Sequence, residues 1–238
     1  MQHMENVTKI TPQELAAHFD HTLLKPEATT AQIELLCQEA RELGCATVCV
    51  NPSMLALAAS ALESSQVLPI TVVGFPLGAV PASWKVEETK RAIDMGAREV
   101  DMVINIGRFL AGAGSSSALA EEVGRVCEVA RDAGVPVKVI IETALLSPEH
   151  IKEAARICAN AGADFVKTST GFAARGASLD DIALMAAGIK ESRNPGARIK
   201  ASGGIKTLDQ ALAMIRAGAH RIGSSNTVSI VKELTGRK

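Results

Sequence analysis

Two lysines and one aspartate hold the positions from which chemistry would be expected. Lys167 closes the run Ala163-Asp164-Phe165-Val166-Lys167 and is followed by Thr168-Ser169-Thr170-Gly171. Lys200 closes Arg198-Ile199-Lys200 and is followed by Ala201-Ser202-Gly203-Gly204. Each lysine therefore ends a short strand-like run just ahead of a glycine-rich loop. A like charge nearby and a dry pocket both disfavour protonation, which lowers a lysine pKa toward the working pH. A neutral amine can attack a carbonyl carbon and form an iminium, and the iminium lets a neighbouring carbon–carbon bond break or form. Asp101 lies in the apolar run Glu99-Val100-Asp101-Met102-Val103-Ile104-Asn105, where a lone carboxylate would be costly unless it faced the lysine pair. There it would balance positive charge and move protons. The blander alternatives are a solvated or salt-bridged strand end for either lysine, and a structural ion pair for Asp101.

A second pattern points to an anion. Gly171, Gly203-Gly204 and Gly223-Ser224-Ser225 fall in three consecutive turns near the end of the chain. Glycines let backbone N–H groups approach a phosphate closely, serine hydroxyls add donors, and Lys206 adds positive potential. One such turn is weak evidence, since most are simply tight loops. Three in succession favour a phosphorylated ligand.

The elements that position these residues alternate in kind. Candidate strands are Asp20–Leu24, Ala46–Val50, Ile70–Val73, Glu99–Ile104, Val137–Ile141, Phe165–Lys167, Arg198–Ala201 and Arg221–Gly223. Between them, apolar residues recur at three- and four-residue spacing in Thr30–Leu43, Lys85–Met95, Glu122–Ala133, Pro148–Ala161, Leu179–Ser192 and Leu208–Ala217. Gly44, Gly96, Gly134, Gly162 and Gly218 each follow a helical stretch and precede a strand, as helix-closing glycines do. Strand–helix units repeated without a composition break predict an α/β fold, a single (β/α)8 TIM barrel spanning residues 1–238. An open doubly wound sheet is the runner-up, but the GxGxxG expected after its first strand is absent. In such a barrel, function sits at the C-terminal strand ends.

Composition narrows the class further. Hydrophobic residues make up 47% of the 238, so a large core is available, while aromatics are only 3% and Tyr is absent. The core must be aliphatic, which suits parallel strands and helices. With 25 basic and 26 acidic residues there is no general basic field and little base-stacking surface, so nucleic acid is not an expected partner. The five cysteines (Cys37, Cys45, Cys49, Cys127 and Cys158) lack metal or CxxC spacing and read as packed thiols. His3, His18, His21, His150 and His220 are scattered, so a metal site is not expected. His21 reads as structural, bonding across the barrel. The uncharged stretch Ser64–Trp84 has the length of a membrane span, but Pro69, Gly74, Pro76, Gly78 and Pro81 break it, so no membrane partner is expected. Residues 1–9 read as a flexible extension rather than a signal peptide, and a cytoplasmic location follows.

At these motifs the chain resembles the deoxyribose-phosphate aldolase family. The likeness runs through Asp20-His21-Thr22-Leu23-Leu24, Glu99 to Gly107, Val139-Ile140-Ile141-Glu142-Thr143, Phe165 to Phe172, Ile199 to Ile205, and Arg221 to Ser225. It implies that Lys167 forms a Schiff base while Asp101 and Lys200 exchange protons and tune it. It also implies reversible cleavage of 2-deoxy-D-ribose 5-phosphate to D-glyceraldehyde 3-phosphate and acetaldehyde, without metal or organic cofactor. Asp20, Cys49 and Thr170 match positions that the family places around the substrate, and a homo-oligomer, dimer or tetramer, is implied as well. Two departures bear on phosphate affinity: Phe172 stands where some members carry lysine, and Asn226 where many carry a second serine. The rival readings are another phosphosugar barrel lyase or isomerase, and a non-catalytic phosphosugar-binding barrel.

Overall fold

The computed structural model describes residues 10–236; the expected N-terminal extension, residues 1–9, lies outside the described residues. Eight parallel strands close into one barrel in sequence order, with β8 returning to β1. They are β1 (Phe19–Leu23), β2 (Thr47–Val50), β3 (Leu68–Val73), β4 (Glu99–Val103), β5 (Val137–Ile140), β6 (Phe165–Lys167), β7 (Arg198–Ser202) and β8 (Arg221–Ser224). The helices are α1 (Pro12–Ala16), α2 (Thr30–Leu43), α3 (Leu55–Ala61), α4 (Ala82–Asp94), α5 (Ile106–Phe109), α6 (Ser115–Asp132), α7 (Pro148–Asn160), α8 (Leu179–Lys190), α9 (Leu208–Arg216) and α10 (Thr227–Gly236).

Local sequence explains where the helices stop and start. In α2, Ile33, Leu36, Cys37 and Ala40 form the buried stripe expected of a helix with one face on a sheet. Thr29 and Gln32 cap its start reciprocally, and Gly44, with φ 75°, closes it. Ser178 with Asp181 and Thr207 with Gln210 make the same capping box at α8 and α9. Those two boxes set the lengths of the loops after β6 and β7, which carry the glycines of interest.

Strand limits differ from the sequence reading by a residue or two, most visibly at β3. Pro69 stands just ahead of the strand expected from sequence, Ile70–Val73. It lies inside instead, opposite Val48, at the second residue, where its carbonyl still accepts from Arg98.

The main core lies between the barrel wall and the helices. There Val48, Val100, Met102, Val139, Val166, Ile199, Ala201 and Ile222 point outward into the helical layer. A smaller apolar cluster of Leu24, Cys49, Ile70 and Val72 stands apart, packed with Phe75. Elsewhere the barrel interior mixes charged groups with the buried side chains of Val103, Ile140 and Phe165. Alternation along β4 puts Glu99 and Asp101 on one face, and Lys138, Lys167 and Lys200 are likewise buried. Barrels of this kind are ordinarily filled with branched aliphatic side chains, so a charged interior is the feature that needs a functional explanation.

Candidate active site

Lys167 and Lys200 are direct partners in the β6–β7 register, and so meet across one strand spacing. Both ammonium nitrogens reach the same oxygen: Asp101 Oδ2 lies 2.7 Å from each. Asp101, from β4, is wholly buried, as is Lys200, while Lys167 is 3% exposed. That small difference decides the roles. A cavity of about 350 Å³ opens at the C-terminal ends of the strands, and Lys167 is the member of this trio that lines it.

Environment separates the two lysines, which the sequence treated alike. Burial, aided by the Lys200 charge, pushes Lys167 below the ordinary lysine value against the pull of Asp101. Burial opposes charge on Lys200 as well, but Asp101 and Asp20 together outweigh it and raise its pKa. The second carboxylate makes the difference: Asp20 sits hard against Lys200 Nζ and accepts from Arg221 Nη1 at 2.6 Å. Among the described residues, Lys167 pairs with no second carboxylate.

Asp20 and Asp101 resist burial because three cations surround each, and both carboxyls are held below their usual value. The unfolded chain consequently binds more protons than the folded one between those lowered values and about pH 4, and stability falls as pH drops through that window. Urea titrations should show folding stability declining below about pH 4, with Asp20→Asn flattening the decline. An unchanged slope in Asp20→Asn would count against this assignment.

The upper cavity is lined by the glycine-rich turns. Gly171, Gly203, Gly204, Gly223, Ser224 and Ser225 all border it, with Thr170, Phe172 and Asn226. Lys206 and Lys25 stand at its rim, and α10 begins directly after it, which brings a helix N-terminus to the same place. Ser224 differs from the sequence expectation in its bonding. Its hydroxyl donates to Ile205 O at 2.8 Å and accepts from Asn226 N–H at 3.0 Å, so its proton is already committed. Ser225 is exposed and donates to Asn226 Oδ1 at 3.3 Å. An anion here would rely on backbone N–H groups and the two rim lysines.

The loop after β6 is held by groups from neighbouring strands. Thr170 donates its N–H, at 3.1 Å, and its hydroxyl to Glu142 Oε2. Glu142 adopts a left-handed backbone with φ 52°, a costly conformation for a non-glycine residue that points to a functional demand. Gly176 lies so close to Gly203 that a Cβ would stand 2.0 Å from its carbonyl oxygen, which locks this loop onto the next. Phe172 is exposed at the mouth and meets Phe75 edge-on, with ring centroids 5.4 Å apart.

Asp20 and Cys49 lie beneath the cavity and do not border it. Cys49 is fully buried, and burial pushes its thiol up to about 11, so it stays protonated at neutral pH. His21 points away from the interior, correcting the sequence reading: its Nε2 lies 2.8 Å from Glu39 on α2, because its neighbours Asp20 and Thr22 take the inward positions.

Sequence reasoning missed Lys138, Glu99, Arg221, Thr22 and Lys25. For the first two a signal existed. Glu99 is two residues from Asp101 and so shares its face, and Lys138 interrupts the apolar run Val137–Ile141 at a single position.

An amine held below its ordinary pKa at the floor of a barrel cavity, braced by a carboxylate and a charged lysine beneath a mouth lined with glycine turns, is the equipment of a Schiff-base aldolase. Comparison with known proteins agrees. Residues 15–231 match the family model described as DeoC/LacD family aldolase. The chain is 49% identical over 223 residues to deoxyribose-phosphate aldolase 1 of Bacillus licheniformis, covering 94% of this chain and 97% of that one. It is 50% identical over 218 residues to the deoxyribose-phosphate aldolase of Macrococcus caseolyticus, covering 92% and 96%. Its fold superposes on the deoxyribose phosphate aldolase of Aeropyrum pernix, described as having a unique tetrameric structure, with a TM-score of 0.89 at 30% identity, over 100% of this chain and 97% of that one. The chain belongs to the DeoC/LacD family of aldolases.

Proposed function

We propose that this chain reversibly cleaves 2-deoxy-D-ribose 5-phosphate to D-glyceraldehyde 3-phosphate and acetaldehyde through a Schiff base on Lys167. One observation carries the reading: of the buried lysine–aspartate cluster, Lys167 is the member that lines a cavity whose far end is built of glycine turns and rim lysines. The phosphate sits against Gly171, Gly203, Gly204, Gly223, Ser224 and Ser225, with Lys25 and Lys206 supplying charge. The open-chain aldehyde carbon then faces Lys167.

Lys167 Nζ attacks that carbon, and loss of water gives the iminium. As Asp101 takes the proton from the hydroxyl on the third carbon, the electron pair of the bond between the second and third carbons moves toward the iminium, leaving an enamine on Lys167 and releasing glyceraldehyde 3-phosphate. Protonation of the enamine and hydrolysis release acetaldehyde and restore the amine. Asp101, held as a carboxylate, accepts protons at the reacting nitrogen, and Lys200, held as an ammonium, returns them through Asp101. Thr170, with its hydroxyl committed to Glu142, fixes the loop against the substrate. Asp20 acts one layer lower by keeping Lys200 charged, and Cys49 packs against the cluster as a neutral thiol.

The test is direct: purified chain supplied with 2-deoxyribose 5-phosphate should release acetaldehyde, measured by coupled reduction with alcohol dehydrogenase. Isomerised sugar phosphate without acetaldehyde, or binding without turnover, would instead support one of the rival readings. Gly223→Ala probes the same geometry, since its Cβ would stand 3.1 Å from Lys200 Cε and 3.0 Å from Ser202 Cβ. Displacing Lys200 by a few tenths of an ångström should lower kcat by about tenfold while the melting temperature stays close to the parent's. An unchanged kcat would show that Lys200 tolerates the shift.

The same reading includes a single catalytic domain, self-association as a dimer or tetramer, and work in the cytoplasm. Among the described residues no helix is long and apolar enough to cross a membrane. Leu77 and Trp84 are exposed by 75% and 65%, the kind of apolar surface that self-association would cover, and sedimentation equilibrium measures the assembly.

A further inference from the structure

Asp101 has a third partner that the reaction does not use. Its Oδ2 takes Lys167 and Lys200, while its Oδ1 accepts from Lys138 Nζ at 3.0 Å. Lys138 is wholly buried on β5, pairs with Glu99, and lies 3.8 Å from Asp20. Arg221 completes the network, 2.6 Å from Asp20 and 3.6 Å from Glu99. Ion pairs thus join four cations (Lys138, Lys167, Lys200 and Arg221) to three carboxylates, Asp20, Glu99 and Asp101. A cluster removed from water is most stable when its charges cancel. Here they cancel only when one lysine is the free amine, and Lys167, the cluster lysine that lines the cavity, is the one whose surroundings disfavour its charge.

We propose that Lys138 is a positioning residue for the reactive amine: by giving the three carboxylates a third permanent cation, it removes any need for Lys167 to be an ammonium. It acts through Asp101, without touching substrate. The groups facing Lys167 are Asp101 from β4, Lys200 from β7 and the neutral thiol of Cys49 from β2. Those facing Lys138 are Asp101 and Glu99 from β4, Asp20 from β1, Lys200 from β7 and the Phe165 ring of β6 at 5.8 Å. Arg221 of β8 joins through Glu99. Lys138 itself is raised above the ordinary lysine value, because Asp101 and Asp20 outweigh its burial, so it stays charged throughout the working range.

A purely structural lysine and a charge-setting one are told apart by sign. Removing the cation in Lys138→Met recruits Lys167 as its replacement and makes it harder to deprotonate. Removing one carboxylate in Glu99→Gln does the reverse, and the double variant restores cancellation. The experiment rests on the Schiff-base reading and follows acetaldehyde adduct formation on Lys167, trapped with cyanoborohydride, as a function of pH. The midpoint of the rising limb should move up by about one pH unit in Lys138→Met, down by a similar amount in Glu99→Gln, and return in the double variant. If Lys138→Met fails to fold, the downward shift in Glu99→Gln still decides. Adducts that form with unmoved midpoints in the folded variants, or an upward shift in Glu99→Gln, overturn the role of Lys138. No adduct on the unaltered chain overturns the Schiff-base reading, and this inference with it.

Discussion

Lys167→Met should lower kcat/KM for cleavage of 2-deoxyribose 5-phosphate by about 10⁴-fold or more without destabilising the fold. The kinetic half follows from position, because Lys167 is the cluster amine that borders the cavity, while the other two lysines there, Lys25 and Lys206, stand at its rim. The stability half follows from the charge count. Burial already disfavours the Lys167 ammonium, and its loss leaves Lys138, Lys200 and Arg221 opposite Asp20, Glu99 and Asp101, a balanced set. Methionine fills a similar volume with an apolar chain, so the urea midpoint should match the parent's or exceed it. A clearly lower midpoint would mean that Lys167 serves the fold as a cation.

Asp101→Asn should do the opposite to stability and comparable harm to activity. The carboxylate is the hub that Lys138, Lys167 and Lys200 share, all within 3.0 Å. An amide of the same shape leaves those cations with too little counter-charge in a buried site, a change that typically costs about 3–5 kcal/mol. It also removes the proton acceptor beside the reacting nitrogen, for an expected loss of about 10²- to 10⁴-fold in kcat. Urea unfolding and steady-state kinetics on one preparation measure both. A variant as stable as the parent would show that the cluster does not depend on Asp101 for its balance.

The contrast between these substitutions bears on what could be read from the chain alone. Strand order, the helices between strands, and the placement of Lys167 and Lys200 on adjacent strands were legible, because alternation and helix-closing glycines are local signals; Lys200, expected to close its strand, lies at the middle of Arg198–Ser202. Depth was not. Asp20 and Cys49 match residues expected around a substrate, yet both lie below the cavity, since the stagger of a closed barrel decides which residues of different strands share a layer. The two lysines looked equivalent for the same reason. What separates them is Asp20, 180 residues from Lys200 in sequence. Lys138 escaped notice because a single lysine in an apolar run resembles a strand with one wet face. Only closure of the barrel turns that face inward. In the loops, the glycines were visible, but the bond that commits the Ser224 hydroxyl to Ile205 depends on how two loops approach one another.

The central claim, a Schiff base on Lys167, is tested most directly by incubating the chain with acetaldehyde, reducing with borohydride, and mapping the modified peptide. The account predicts one ethylated lysine per chain at Lys167, formed faster than any surface modification and absent from Lys167→Met. A folded chain that cleaves the sugar phosphate yet carries the adduct on Lys200 or Lys138, or carries none, would contradict it.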